Sequence, residues 1–251
     1  MLFFSEKNVN LQKEVSYSLL TRECNARQFY FHLFKTTVCL LGTKAPTFKA
    51  PAVLNGTYTT ADFSLEQFLG KQEVVLFFYP KDFTFVCPTE LLSFQKNLPQ
   101  FAKRNVALVG CSTDTEETHF AWLHTPLTKG GIEGVTYPLI ADTSKTIAAN
   151  YGVLGGAWSY DETNKLVFKG LPVAYRGTFL IDKEGIIRYL AINDLPLGRH
   201  VNELLRIIDM WQHVEAFGEV CPANWAKGNV AMKPTLESVA DYLTNTAPLN
   251  T

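Results

Sequence analysis

The chain has 251 residues, 47% of them hydrophobic, and its 23 basic and 24 acidic side chains leave a formal charge of −1. That composition supplies one sizeable core with appendages and no basic footprint for nucleic acid, and no apolar run approaches the roughly 18 residues a membrane-spanning helix needs. Five cysteines scattered at 24, 39, 87, 111 and 221, an odd number without framework spacing, exclude a secreted disulfide scaffold and fit a reducing compartment, the cytoplasm.

Residues 1–38 carry five basic and three acidic residues among several aromatics. Charges interrupt every apolar run there, against a signal peptide, and Glu6, Glu14 and Glu23 weaken a mitochondrial transit reading. The segment is read as a poorly ordered extension, and Cys24 and Cys39 receive no role. From Ala45 to Val53 the pattern is extended, Asn55-Gly56 marks a turn, and Ser64-Leu-Glu-Gln67 has the spacing of a capping box opening a short helix that Gly70 closes. Val74 to Tyr79 is a short β-branched and aromatic run suited to a strand buried on both faces. Pro80 stops it, Lys81 to Thr84 turn the chain, and Val86 to Leu98 reads as a helix with Leu91, Leu92, Phe94 and Leu98 inward. Cys87 falls in that helix's first turn, where Pro88 also fits, because proline has no N–H to satisfy.

Val106 to Ser112 is a second buried strand with Cys111 as a small core residue, and Asp114-Thr-Glu-Glu117 caps a helix reaching about His124. His119 and His124 have no third ligand nearby and are read as surface or packing residues. Gly130, Gly131 and Gly134 make a flexible loop, Tyr137 to Ile140 a short strand, and Asp142 caps a helix that Gly152 ends. Trp158 to Gly170 reads as an inserted hairpin with Asp161 to Asn164 at its tip. Gly177 to Asp182, a tight turn at Gly185, and Ile186 to Ile192 follow as strand, turn and strand. Val201, Leu204, Leu205, Ile208 and Trp211 repeat at helical spacing, predicting an amphipathic helix over the sheet. Beyond it lie a loop-like arm, Gly218-Glu-Val-Cys-Pro-Ala-Asn-Trp225, and a weakly amphipathic stretch from Leu236 to Leu243. Strands alternating with helices predict an α/β fold, a mixed central sheet flanked by helices.

The chemistry centres on Cys87. Unpaired N–H groups at a helix start favour the thiolate, the nucleophilic form. Thr84 can set a hydroxyl beside the sulfur, and Pro80 can wall it from water. Cys221, also followed by proline, stands 134 positions away. Metal-binding pairs lie closer, and a dithiol reductase wants Cys-x-x-Cys, which this chain lacks. Two thiols so distant can react if an arm joins them, within one chain or between two.

Pro80-x-x-x-Thr84-x-x-Cys87 together with Glu219-Val-Cys221-Pro222 resembles the typical 2-Cys peroxiredoxins, the group of alkyl hydroperoxide reductase C and the thiol-specific antioxidant proteins, from about Leu40 onward. The resemblance implies a thioredoxin-like fold at 39–212 and a C-terminal arm at 213–251 carrying a resolving cysteine. It implies that Arg176, in Ala174-Tyr-Arg-Gly-Thr-Phe-Leu-Ile-Asp182, is the active-site arginine, oriented by the pair Glu90 and Arg199. It implies that Cys87 reduces a peroxide and becomes a sulfenic acid, that Cys221 of the other subunit condenses with it, and that thioredoxin or a similar dithiol donor restores both. A homodimer and a decamer of dimers are expected, with no cofactor or metal. Two departures bear on regulation: peroxide-sensitive members carry Gly-Gly-Leu-Gly where this chain has Gly130-Gly-Ile-Glu133, and Tyr-Phe where it has Tyr242-Leu243, so resistance to overoxidation is expected. Three rivals remain: a ring-forming holdase chaperone, a protein disulfide reductase, and a cysteine hydrolase, the last disfavoured because neither cysteine motif holds a histidine.

Overall fold

The computed structural model describes residues 39–56 and 58–245; the expectations for residues 1–38, Cys24 included, lie outside them. Strand β1 (Ala50–Leu54) pairs antiparallel with β2 (Tyr58–Phe63). Asn55 and Gly56 join them with φ of 52° and 65°, the left-handed pair that a tight hairpin turn requires and that Asn-Gly supplies at little steric cost. Ser64 Oγ accepts from Glu66 N at 3.2 Å, as its capping position predicts. The element it opens, however, is one 3-10 turn, Leu65–Phe68, since Gly70 (φ 71°) leaves no room for a second.

Strand β3 (Glu73–Phe78) is buried at every position. Alternation sends Val75 and Phe77 into one core and Val74, Leu76 and Phe78 into the other. Helix α1 (Cys87–Lys103) follows and runs past the expected end at Leu98, with Pro99 inside it. Proline removes one helical hydrogen bond, but Phe101 beyond it is fully buried, its ring centroid 6.1 Å from that of Phe94, and that packing carries the helix on. Strand β4 (Val106–Ser112) lies parallel to β3. Helix α2 (Glu116–Leu123) is capped by Thr115 rather than Asp114, because Asp114 Oδ2 instead accepts from Asp82 N at 2.6 Å.

Strand β5 (Leu139–Ala141) is parallel to β4. The carboxylate of Asp142 accepts from Ile147 N and Ala148 N at 3.1 and 2.7 Å, capping α3 (Thr146–Asn150) as expected. Strands β6 (Leu154–Tyr160) and β7 (Leu166–Ala174) form the inserted hairpin as a separate two-stranded sheet. Strands β8 (Arg176–Ile181) and β9 (Ile187–Asn193), helix α4 (Val201–Phe217) and helix α5 (Leu236–Asn245) complete the chain. The main sheet runs β2-β1-β5-β4-β3-β8-β9, parallel at its centre and antiparallel outward.

Two cores fill its faces. Leu91, Phe94, Leu204, Leu205 and Ile208 bring α1 and α4 onto the Phe77 side; Ile147, Tyr151 and Phe179 pack on the Phe78 side. The layered α/β architecture is therefore the expected one. None of the helices among the described residues is long and apolar enough to cross a membrane. Because β3 is central and leads directly to α1, Cys87 sits beyond the carboxyl end of the parallel strands, where α/β sheets place their sites.

Candidate active site

Cys87 is the first residue of α1 and is 1% exposed. Its helix start offers the sulfur less than the sequence implies: Pro88 has no N–H, while Thr89 N and Glu90 N donate to Val86 O at 3.1 and 3.3 Å. The donor that reaches the sulfur is a guanidinium instead. Arg176 opens β8, next to β3 in the sheet, and its Nη1 donates to Cys87 Sγ at 3.4 Å.

Arg176 is 3% exposed and held on two other sides. Its Nε donates to Leu195 O at 2.7 Å and its Nη1 to Glu90 Oε2 at 2.6 Å. Glu90 lies on α1 three residues after Cys87. Its carboxylate also accepts from Arg199 Nε, Nη2 and backbone N, each at 2.9 Å. Arg199 Nη1 donates to Phe78 O and Gly177 O at 2.9 and 3.0 Å, and its guanidinium lies over the rings of Phe77 and Phe94 at 5.0 and 5.5 Å. Residue 177 must be glycine for close packing, since a Cβ there would meet Val153 Cγ1 at 2.6 Å. Two guanidiniums thus share one carboxylate, leaving one positive charge uncompensated beside the sulfur. A buried cluster of this kind is stable only when every member is bonded, as each is here.

Pro80 is buried, and Thr84 is half-buried with its hydroxyl donating to Lys81 O at 3.0 Å. That bond closes the turn and leaves the oxygen's lone pairs available as acceptors. Phe83 holds φ of 50°, uncommon for an aromatic residue and a mark of local strain. Its ring packs 5.8 Å from Trp122, and Phe83 and Phe85, 52% and 95% exposed, form an apolar rim.

The sequence reading missed what supports this loop. Asp82 and His119 are both buried, with His119 Nδ1 2.6 Å from Asp82 Oδ2 and Nε2 3.1 Å from Ile140 O. Tyr79 donates its phenol to Asp82 Oδ1 at 2.9 Å. With acceptors at both ring nitrogens, His119 is favoured as imidazolium: burial opposes the charge, but the Asp82 hydrogen bond and charge and the Ile140 carbonyl raise its pKa above the ordinary value. Nothing in the spacing joins positions 82 and 119; only an acidic side chain in the turn before Cys87 hints at a distant partner.

The structure does not bring the two predicted redox sulfurs together within the chain. Cys39, Cys87, Cys111 and Cys221 are all free thiols. Cys221 Sγ points to Met210 O on α4 at 3.8 Å, and burial, then the charge of Glu219, push its thiol above the usual range. Asp209, beside Met210, bonds Arg104 through paired contacts of 2.8 Å. Arg104 caps the end of α1 remote from Cys87, a helix about 25 Å long at 1.5 Å per residue. Cys111 is fully buried on β4, and its surroundings push its thiol far up, as fits the core residue expected there.

A buried cysteine met by a buried arginine, on a mixed sheet of thioredoxin-like order flanked by helices, defines a thiol-centred oxidoreductase. The AhpC/TSA family profile matches residues 41–190, and that of the C-terminal domain of 1-Cys peroxiredoxin matches residues 210–245. Alkyl hydroperoxide reductase C of Helicobacter pylori is 48% identical over 205 residues, covering 81% of this chain and 96% of that protein. Peroxiredoxin-2 of Mus musculus is 42% identical over 202 residues, covering 80% and 94%. Among solved structures, the reduced 2-Cys peroxiredoxin of Plasmodium vivax superposes with a TM-score of 0.74 at 46% identity, covering 82% of this chain and 99% of that one. The chain belongs to the AhpC/TSA family of peroxiredoxins and is a thiol-dependent peroxidase.

Proposed function

We propose that Cys87 is the sulfur that attacks the peroxide and Cys221 the sulfur that resolves the product, the second supplied by a partner subunit. The observation that carries the first half is the Arg176 guanidinium, which donates to Sγ from a frame fixed by Glu90, Leu195 and Arg199. The thiolate attacks one peroxide oxygen, the O–O bond breaks, and the electron pair leaves on the other oxygen, which takes a proton as water or alcohol. Negative charge grows on that departing oxygen, and a donor fixed in advance lowers the barrier. Arg176 fills this role, Thr84 Oγ1 accepts from the peroxide hydroxyl, and Pro80 excludes water. Glu90 and Arg199 orient Arg176 without touching substrate.

Cys87 is left as a sulfenic acid. Attack by Cys221 forms the S–S bond and releases the hydroxyl as water. The docking of Cys221 near the remote end of its own α1 favours a partner's Cys87 over its own. A homodimer is then the minimum unit, and a decamer of dimers the expected assembly. One solved relative, from Plasmodium yoelii, is described as an artifactual octamer when modified at its N-terminus. Thioredoxin or a comparable dithiol protein returns the electrons in the cytoplasm, the compartment where free thiols persist. In this reading residues 39–212 form the peroxidase domain, 213–251 the arm, and 1–38 an extension outside the chemistry.

A coupled peroxide assay tests the assignment. Cys87→Ser should consume no peroxide, and Cys221→Ser should turn over once without a thioredoxin-sustained cycle. On a non-reducing gel the oxidised wild type should run as a dimer that dithiothreitol dissolves; full turnover by Cys221→Ser would refute the resolving role.

A further inference from the structure

The arm that holds Cys221 is tied to one stripe of α4. Arg206, Met210 and His213 recur at helical spacing and face it together. Arg206 Nη1 donates to Trp225 O at 2.6 Å, Met210 O receives the Cys221 thiol at 3.8 Å, and His213 Nε2 lies 2.8 Å from Glu219 Oε2. The His213 ring also packs between Phe217 and Trp225, with centroids at 4.8 and 4.9 Å. Trp225 is 2% exposed, so it is the arm's buried anchor. Of these ties, the one at His213 bonds a residue only two positions before Cys221.

A sulfur turned onto the backbone of α4 cannot reach an oxidised Cys87 until its segment lifts away. Lifting must break the contacts to α4. The hydrogen-bonded bridge between Val220 and Met232 joins two parts of the arm and does not tether it to the helix. The His213–Glu219 contact does, and with side chains 21% and 34% exposed it is accessible to water and breakable.

We propose that His213 is a positioning residue for the disulfide-forming half of the cycle: by holding Glu219 and packing on Trp225, it keeps Cys221 docked on α4 and sets the rate of its release. This rests on the assignment of Cys221 as resolving thiol made above. The consequence is a partition. While Cys221 stays docked, the Cys87 sulfenic acid survives to meet a second peroxide and form sulfinic acid; faster release diverts it to disulfide.

Single-turnover acid quench with hydrogen peroxide, followed by mass spectrometry of Cys87 and Cys221, tests this in the full chain. His213→Phe keeps a ring between Phe217 and Trp225 but loses the donor. A partly exposed pair of this kind limits the gain to about five-fold in the rate of disulfide formation, with sulfinate yield at fixed peroxide falling correspondingly. His213→Gln, which retains an N–H, should return to within about two-fold of wild type, and Glu219→Gln should accelerate about two- to three-fold. The rate of peroxide attack should be the same in all. Equal disulfide rates in wild type and His213→Phe, or a Gln variant as fast as the Phe variant, would overturn the proposal. Failure of the wild type to form any Cys87–Cys221 disulfide would instead overturn the assignment of Cys221, and the proposal with it.

Discussion

Glu90→Gln is the sharpest probe of the site, because it changes charge while keeping shape. The carboxylate accepts from Arg176 and from three donors of Arg199 at 2.6 to 2.9 Å, with all three side chains no more than 8% exposed. An amide in its place keeps one acceptor oxygen, turns an NH2 toward guanidinium donors, and leaves two buried cations sharing no anion. Breaking one buried ion pair costs about 3–5 kcal/mol. At about 2–4 °C per kcal/mol for a domain of this size, the melting temperature should fall by about 10 °C. Arg176 would keep Leu195 O but lose the contact that aims Nη1 at the sulfur, so single-turnover peroxide reduction should slow about 100-fold. Scanning calorimetry measures the first effect and stopped-flow peroxide consumption the second. A variant that melts within about 2 °C of wild type and reacts at the same rate would refute the view that Glu90 neutralises and orients both arginines.

His119 predicts a pH dependence of stability. Its folded pKa is raised, so its contribution is fully present below the unfolded value near 6.5, and declines as pH rises through the folded value; His119→Gln should remove that decline in urea titrations across the range. Cys111, fully buried with its thiol pushed far up, should resist iodoacetamide in the folded protein and react in guanidinium; labelling at the rate of Cys221 would contradict its placement. Glu133 and Leu243 are both exposed and alter the two elements that peroxide-sensitive relatives carry. Mass spectrometry after a peroxide pulse should therefore show little Cys87 sulfinate during turnover, and its rapid accumulation would count against the expected resistance.

The stretch from Val74 to Leu98 was legible because its signals are local. A β-branched and aromatic run, a proline stop, a short turn and a second proline each act within a few residues, and together they put Cys87 at the first position of α1. The inserted hairpin, the Asn55-Gly56 turn and the face of α4 were legible for the same reason. Local signals failed where a distant partner decided the outcome: α1 continues through Pro99 because Phe101 is buried in the core it shares with β4 and α4, and Thr115 rather than Asp114 caps α2 because Asp114 is engaged by Asp82.

By itself, then, the amino-acid order determined the elements, the layered α/β class and the place of Cys87 at a helix start. Resemblance to a known pattern, rather than periodicity, singled out Arg176, Glu90 and Arg199. What only the tertiary structure decided is the company Cys87 keeps. Sheet order sets β8 beside β3 and brings Arg176 to a sulfur 89 positions earlier. The same packing draws Arg199 onto Glu90 and His119 onto Asp82, and docks Cys221 on α4. Sequence spacing reports contacts made within a turn or a pleat; charges that meet across a folded sheet leave no trace in it.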